Sequence, residues 1–102
     1  MSASLDSLRF LLMDDNHHMR AIVATILRSV GVRHLREASD GAEGLDVLET
    51  WPTDIAIADF KMAPMDGVEF TRRVRQQNSR NPYLPIIMMT GFSDRCRIYE
   101  AR

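Results

Sequence analysis

Ile55-Ala56-Ile57-Ala58-Asp59-Phe60-Lys61-Met62-Ala63-Pro64-Met65-Asp66-Gly67 begins as a solid apolar run and turns abruptly into a loop headed by an acid. A run this short cannot make a helix, and it has no polar face. It reads as a strand covered on both sides, as in a parallel sheet between two helical layers. Phe10-Leu11-Leu12-Met13 and Ile86-Ile87-Met88-Met89 are runs of the same kind. Arg33-His34-Leu35-Arg36-Glu37-Ala38 is much more polar and fits an edge strand.

Between the runs, apolar residues recur at helical spacing. Met19, Ile22, Val23, Ile26, Leu27 and Val30 mark a first helix, stopped by Gly31. Ala42, Leu45 and Leu48 mark a second, with Ser39 or Asp40 as its cap and Trp51-Pro52 as its close. Val68, Phe70, Thr71 and Val74 give a weaker third, before a polar loop from Gln76 to Pro82. Ser93 is placed to cap a fourth helix that starts at Asp94 and still runs at Arg102. The alternation predicts one α/β domain over residues 1–102, a doubly wound parallel sheet with right-handed crossovers. With the polar strand at the edge the strand order is 2-1-3-4. The topological switch then falls between strands 1 and 3, and ligands are expected at their carboxyl ends.

Composition narrows the function. Thirteen basic and fourteen acidic side chains leave a net charge of -1, which argues against direct nucleic-acid binding. Arg72, Arg73 and Arg75 read as a solvated face of the third helix rather than a nucleic-acid patch. The single cysteine, Cys96, excludes an internal disulfide and a cysteine zinc site. No apolar stretch approaches the roughly 20 residues of a membrane span. The opening MSASLDSLRF lacks the pattern of a signal peptide, so a cytoplasmic location is expected.

Asp14-Asp15 closes strand 1, Asp59 closes strand 3 and Thr90-Gly91 closes strand 4. Three carboxylates at one switch point repel one another in a partly dry crevice. A shared proton or a bound cation relieves that repulsion, and an all-oxygen donor set favours Mg²⁺ over zinc or copper. Singly, each residue has a plainer role: Asp15-Asn16 as a helix cap, Asp59 as a loop carboxylate, Thr90 as a turn residue. Their coincidence at all three strand ends is what points to a site. His17 and His18 read as surface residues of the first helix, since oxygen-rich Mg²⁺ sites do not recruit imidazole.

Leu12-Met13-Asp14-Asp15-Asn16, Met19-Arg20, Ala38-Ser39-Asp40-Gly41, the stretch from Asp59 to Gly67 and Met88-Met89-Thr90-Gly91 together resemble the receiver domain of two-component response regulators. The likeness runs from about Leu8 to the last residue, and it implies a flavodoxin-like fold. It also implies that Asp59 is the phosphoacceptor, taking a phosphoryl group from a sensor histidine kinase or a histidine phosphotransfer protein. By the same resemblance Asp14, Asp15, Asp59 and the backbone carbonyl of Lys61 hold Mg²⁺, with Asp15 favoured as a direct ligand. Thr90 would bind the phosphoryl group and act as the switch. Pro64, Asp66 and Gly67 would shape the loop, with Ala63 inserted before the proline in a departure from the family order. Lys61 and Phe92 would flank the path of the hydrolytic water, and Phe92 would lengthen the phosphoryl lifetime. Partner contact is expected on the first helix, at Asn16, Met19, Arg20, Val23 and Leu27. Such a domain phosphorylates itself but is not a turnover enzyme.

Receivers also carry a lysine, and an aromatic switch residue, on a fifth strand. This chain's one lysine is Lys61, and the fifth strand and its helix are expected to be absent, the sequence stopping in helix 4. Strand 4 would then be an uncharged apolar edge, an aggregation hazard. A longer natural chain is the preferred remedy, and an edge-paired or domain-swapped dimer the other. Two competing functions remain. A pseudo-receiver, a phosphorylation-independent interaction module, is kept alive by the missing lysine. A Mg²⁺-dependent phosphohydrolase ranks last, because Lys61 stands where such enzymes need a second acid.

Overall fold

The computed structural model describes residues 5–76, 79–89 and the backbone of 98–101. After a single 3-10 turn at Leu5–Ser7 come β1 (Arg9–Met13), α1 (His17–Ser29), β2 (His34–Ala38), α2 (Gly41–Thr50), β3 (Ile55–Asp59), α3 (Gly67–Val74), β4 (Ile86–Met89) and β5 (Ile98–Ala101). The sheet order is β2-β1-β3-β4-β5, and the first four strands are parallel in the predicted 2-1-3-4 arrangement.

The solid apolar runs are explained by where alternate residues go. Leu11, Met13, Ala56, Ala58, Ile86 and Met88 face α2 and α3, where Phe70, Val74, Leu84 and Met62 complete one core. Phe10, Leu12 and Ile57 face α1 and pack against Ala24, Val23, Leu27 and Val32. Burying a Leu or Phe side chain contributes about 1.5–3 kcal/mol, so each core strand is held from both faces. The helices start where their caps allow. Asn16 accepts the Met19 N–H at 3.0 Å, Asp40 accepts those of Ala42 and Glu43 at 2.7 and 3.1 Å, and Asp66 accepts that of Glu69 at 2.9 Å. Gly31, just past α1, has φ of +113°, a conformation that β-carbon sterics disfavour.

The C-terminal segment differs from the sequence expectation. Residues 98–101 are not helical but form β5, antiparallel to β4, with Met89 opposite Ile98 and Ile86 opposite Ala101. The remainder of the expected fourth helix, 94–97 and 102, lies outside the described residues. An apolar edge strand leaves a row of unpaired N–H and C=O groups, and pairing them outweighs the helical pattern of a short segment. The four-stranded parallel 2-1-3-4 sheet is as expected, and among the described residues no fifth parallel strand follows β4. The segment expected to continue helix 4 instead places the chain's own backbone, running antiparallel, on the β4 edge. A dimer built on that edge would have to displace β5.

Candidate functional site

β1 and β3 are neighbours in register, with Met13 beside Ala58, so the acids that follow emerge together at the carboxyl ends of the two central strands. Asp14, Asp15 and Asp59 offer carboxylate oxygens that all lie within 4.8 Å of one another. Asp14 is buried, Asp59 half-buried and Asp15 exposed. Met89 pairs with Asp59, so β4 ends beside the acids, and the Phe60 N–H donates to the Met89 carbonyl at 2.6 Å.

The crowding shows in the ionisation of the cluster. Burial pushes the Asp59 carboxyl up to about 6, and the Asp14 charge adds to the rise; the N–H groups of Lys61 and Phe60 oppose it. Asp14 is also raised, chiefly by burial and further by Asp15, while the Asn16 N–H and the Arg20 charge act in the other direction. Both carboxyls therefore resist full ionisation when no cation is near. Hard oxygen donors gathered this closely, with one acid open to solvent, fit a Mg²⁺-sized cation that keeps water ligands.

The loop after β3 is held against the site by close approach. A β-carbon on Gly67 would lie 2.6 Å from the Asp59 carbonyl oxygen and 2.5 Å from the Met88 sulfur, so only glycine lets α3 begin there. The Gly41 N–H donates to the Met65 carbonyl at 2.9 Å, tying the same loop to the start of α2. Sequence reasoning did not anticipate Met65 in this role.

The comparisons agree with this geometry. The response regulator receiver domain matches residues 10–101. The chain belongs to the response regulator receiver family. It is 34% identical over 94 residues to the chemotaxis protein CheY of Pseudomonas aeruginosa, covering 92% of this chain and 75% of that protein. To CheY-3 of Vibrio cholerae it is 32% identical over 95 residues, covering 93% and 72% of the two chains. Among solved structures, a response regulator receiver protein from Pseudomonas putida superposes with a TM-score of 0.76 at 26% identity, covering 92% of this chain and 74% of that one. CheY4 of Vibrio cholerae superposes with a TM-score of 0.71 at 32% identity, covering 79% and 66%. The receiver chain thus spans about three quarters of the curated relatives and about two thirds of CheY4.

Of the residues singled out in the receiver sequence, Asp14, Asp15 and Asp59 come together. Lys61 and Pro64 are exposed on the adjoining loop, and Asp66 caps α3. Thr90, Phe92 and Cys96 lie outside the described residues. His17, His18 and His34 are all exposed, and among the described residues no histidine joins the acid cluster. On α1 the expected partner surface needs correction. Val23 and Leu27 turn inward and pack on Phe10 and Leu12, whereas Ile22, Ile26 and Val30 stay more than half exposed. The 100° step per residue sorts these neighbours onto opposite sides of the stripe. Arg20 is likewise engaged internally, donating from Nη1 to the Asp14 carbonyl at 2.8 Å. Arg75 is not part of a solvated face: it donates to the carbonyls of Pro82 at 3.1 Å and Leu84 at 2.7 Å. Arg72 and Arg73 are exposed and paired with Glu69. No helix among the described residues is long and apolar enough to cross a membrane.

Proposed function

We propose that this receiver accepts a phosphoryl group on Asp59 and signals through Thr90. The observation that carries this reading is the convergence of Asp14, Asp15 and Asp59 within 4.8 Å at the switch point of the sheet. The ionised Asp59 carboxylate attacks phosphorus on a phosphohistidine of a sensor kinase or phosphotransfer protein; the P–N bond breaks, the imidazole leaves and an aspartyl phosphate forms. Asp59 has to be ionised to attack; burial and the Asp14 charge raise its carboxyl to about 6 in the cation-free cluster, and a bound cation would favour the ionised form. Asp14, Asp15, Asp59 and the Lys61 carbonyl are the groups that would hold Mg²⁺. When bound, the ion neutralises the crowded acids and the transferring phosphoryl oxygens.

Pro64, Asp66 and Gly67 set the shape of the loop that carries Lys61 past the site. Thr90, next along the chain from Met89, takes the role of phosphoryl ligand and switch, and Lys61 and Phe92 that of controlling water's access to the acyl phosphate. Partner contact falls on the exposed side of α1, at Asn16, Ile22, Ile26 and Val30, an apolar stripe long enough to seat a partner helix.

Borohydride reduction tests the site assignment, because it converts an aspartyl phosphate to homoserine. After phosphorylation and reduction, peptide mass mapping should place the residue at position 59. Homoserine at another acid would refute the assignment, and none at all would favour a phosphorylation-independent interaction module instead.

A further inference from the structure

Asp14 is the buried member of the acid cluster, and its whole peptide unit is anchored. Its N–H donates to the Ala38 carbonyl at 3.1 Å. Its Oδ1 accepts the Asn16 N–H at 2.9 Å. Its carbonyl oxygen takes the Arg20 Nη1 donor at 2.8 Å, and the same guanidinium donates from Nε to Glu37 at 3.0 Å. Glu37 and Ala38 are consecutive at the end of β2, so the polar edge strand supplies two of these anchors, one directly and one through Arg20. The Arg20 side chain is only 18% exposed, whereas Glu37 lies exposed on the edge strand; the guanidinium is held by its second bond, to the Asp14 carbonyl, as well as by the ion pair.

We infer that Arg20 and Glu37 are positioning residues for cation binding, fixing the Asp14–Asp15 peptide so that both carboxylates meet Asp59. This inference rests on the receiver reading of the acid cluster. Neither residue is a member of the acid cluster itself. Arg20 acts through the Asp14 carbonyl, and Glu37 acts by aiming Arg20. A planar fork is required, because one side chain must reach a carbonyl and a carboxylate at once; a lysine ammonium has the charge without that geometry.

Charge and positioning predict opposite results for Arg20, which makes the inference testable. Removing a positive charge beside three carboxylates should tighten cation binding if charge is all that matters. Loss of an outer-sphere partner that orients a ligand weakens metal affinity by about tenfold or more. The experiment is Mn²⁺ titration of the whole chain, read as the electron paramagnetic resonance signal of free Mn²⁺, for wild type, Arg20→Met, Arg20→Lys, Glu37→Gln and the Arg20→Met/Glu37→Gln pair. Urea midpoints from Trp51 fluorescence verify that each is folded, and Glu37→Gln, on the edge strand, provides a mild variant.

The expected result is about tenfold weaker Mn²⁺ binding for both Arg20 variants and a smaller loss for Glu37→Gln. The double variant should be no weaker than Arg20→Met alone, because the two act as one unit. Unchanged or tighter binding in Arg20→Met, or full affinity in Arg20→Lys, would overturn the inference. Wild-type protein that takes up no Mn²⁺ would overturn the receiver reading along with it, whereas normal wild-type uptake with indifferent variants would sink the positioning role alone.

Discussion

The acid cluster should cost the fold stability when no cation is present, and Asp59→Asn measures how much. The folded carboxyl sits at about 6, against 3.8 for an unperturbed one. A raised acid pKa means that the folded state holds its proton more tightly than the unfolded chain does. Stability therefore falls as pH rises from about 4 to about 6, and the deficit is complete above that window. Two pKa units correspond to a ceiling of about 3 kcal/mol, and solvent screening at this half-buried position reduces it to about 1–2 kcal/mol. Asparagine keeps the shape and removes the charge. In EDTA at pH 7.5 the variant should be more stable by that amount, with a Tm roughly 5–10 °C higher for a domain of this size. At pH 4 the difference should vanish, as Asp59 is protonated in the folded wild type. Added Mg²⁺ should stabilise the wild type by binding its native state and narrow the gap. Urea denaturation followed by Trp51 fluorescence supplies the free energies. A variant that is less stable at pH 7.5 in EDTA, or a gain equal at both pH values, would refute the reasoning.

Other consequences are as direct. Gly67→Ala places a β-carbon against the Asp59 carbonyl and should destabilise by about 1–3 kcal/mol in the same urea assay, as overpacking does. Asp40→Ala removes a cap that holds two N–H groups of α2 and should cost about 1 kcal/mol. Ile26→Asp, at an exposed position of α1, should leave stability within about 0.5 kcal/mol of wild type. The same variant should slow phosphoryl transfer from a phosphohistidine protein while leaving labelling by acetyl phosphate unchanged, and wild-type rates with both donors would remove α1 from the partner surface.

How far the sequence reached depended on whether a residue's neighbours along the chain decide its environment. The solid runs at Phe10–Met13, Ile55–Ala58 and Ile86–Met89 had to be strands buried on both faces, and the polar Arg33–Ala38 run had to lie at an edge. The order of the four parallel strands followed, and so did the meeting of Asp14, Asp15 and Asp59. Ile98–Ala101 was misjudged because its conformation is set by the unpaired edge of β4, a partner that local periodicity does not reveal. Val23 and Leu27 share the apolar stripe with Ile22 and Ile26, and only the placement of α1 on the sheet separates inward from outward. Glu37 left no signal, since a glutamate on an edge strand ordinarily faces water. Its importance comes from Arg20, which lies on a different element and reaches back to the strand-1 terminus.

The most direct test of the account is intact mass after incubation with acetyl phosphate, with and without Mg²⁺, for wild type and Asp59→Asn. The account predicts a gain of one phosphoryl group that requires both Mg²⁺ and Asp59. A mass that stays unchanged in wild type, or a gain that persists in Asp59→Asn, would contradict it.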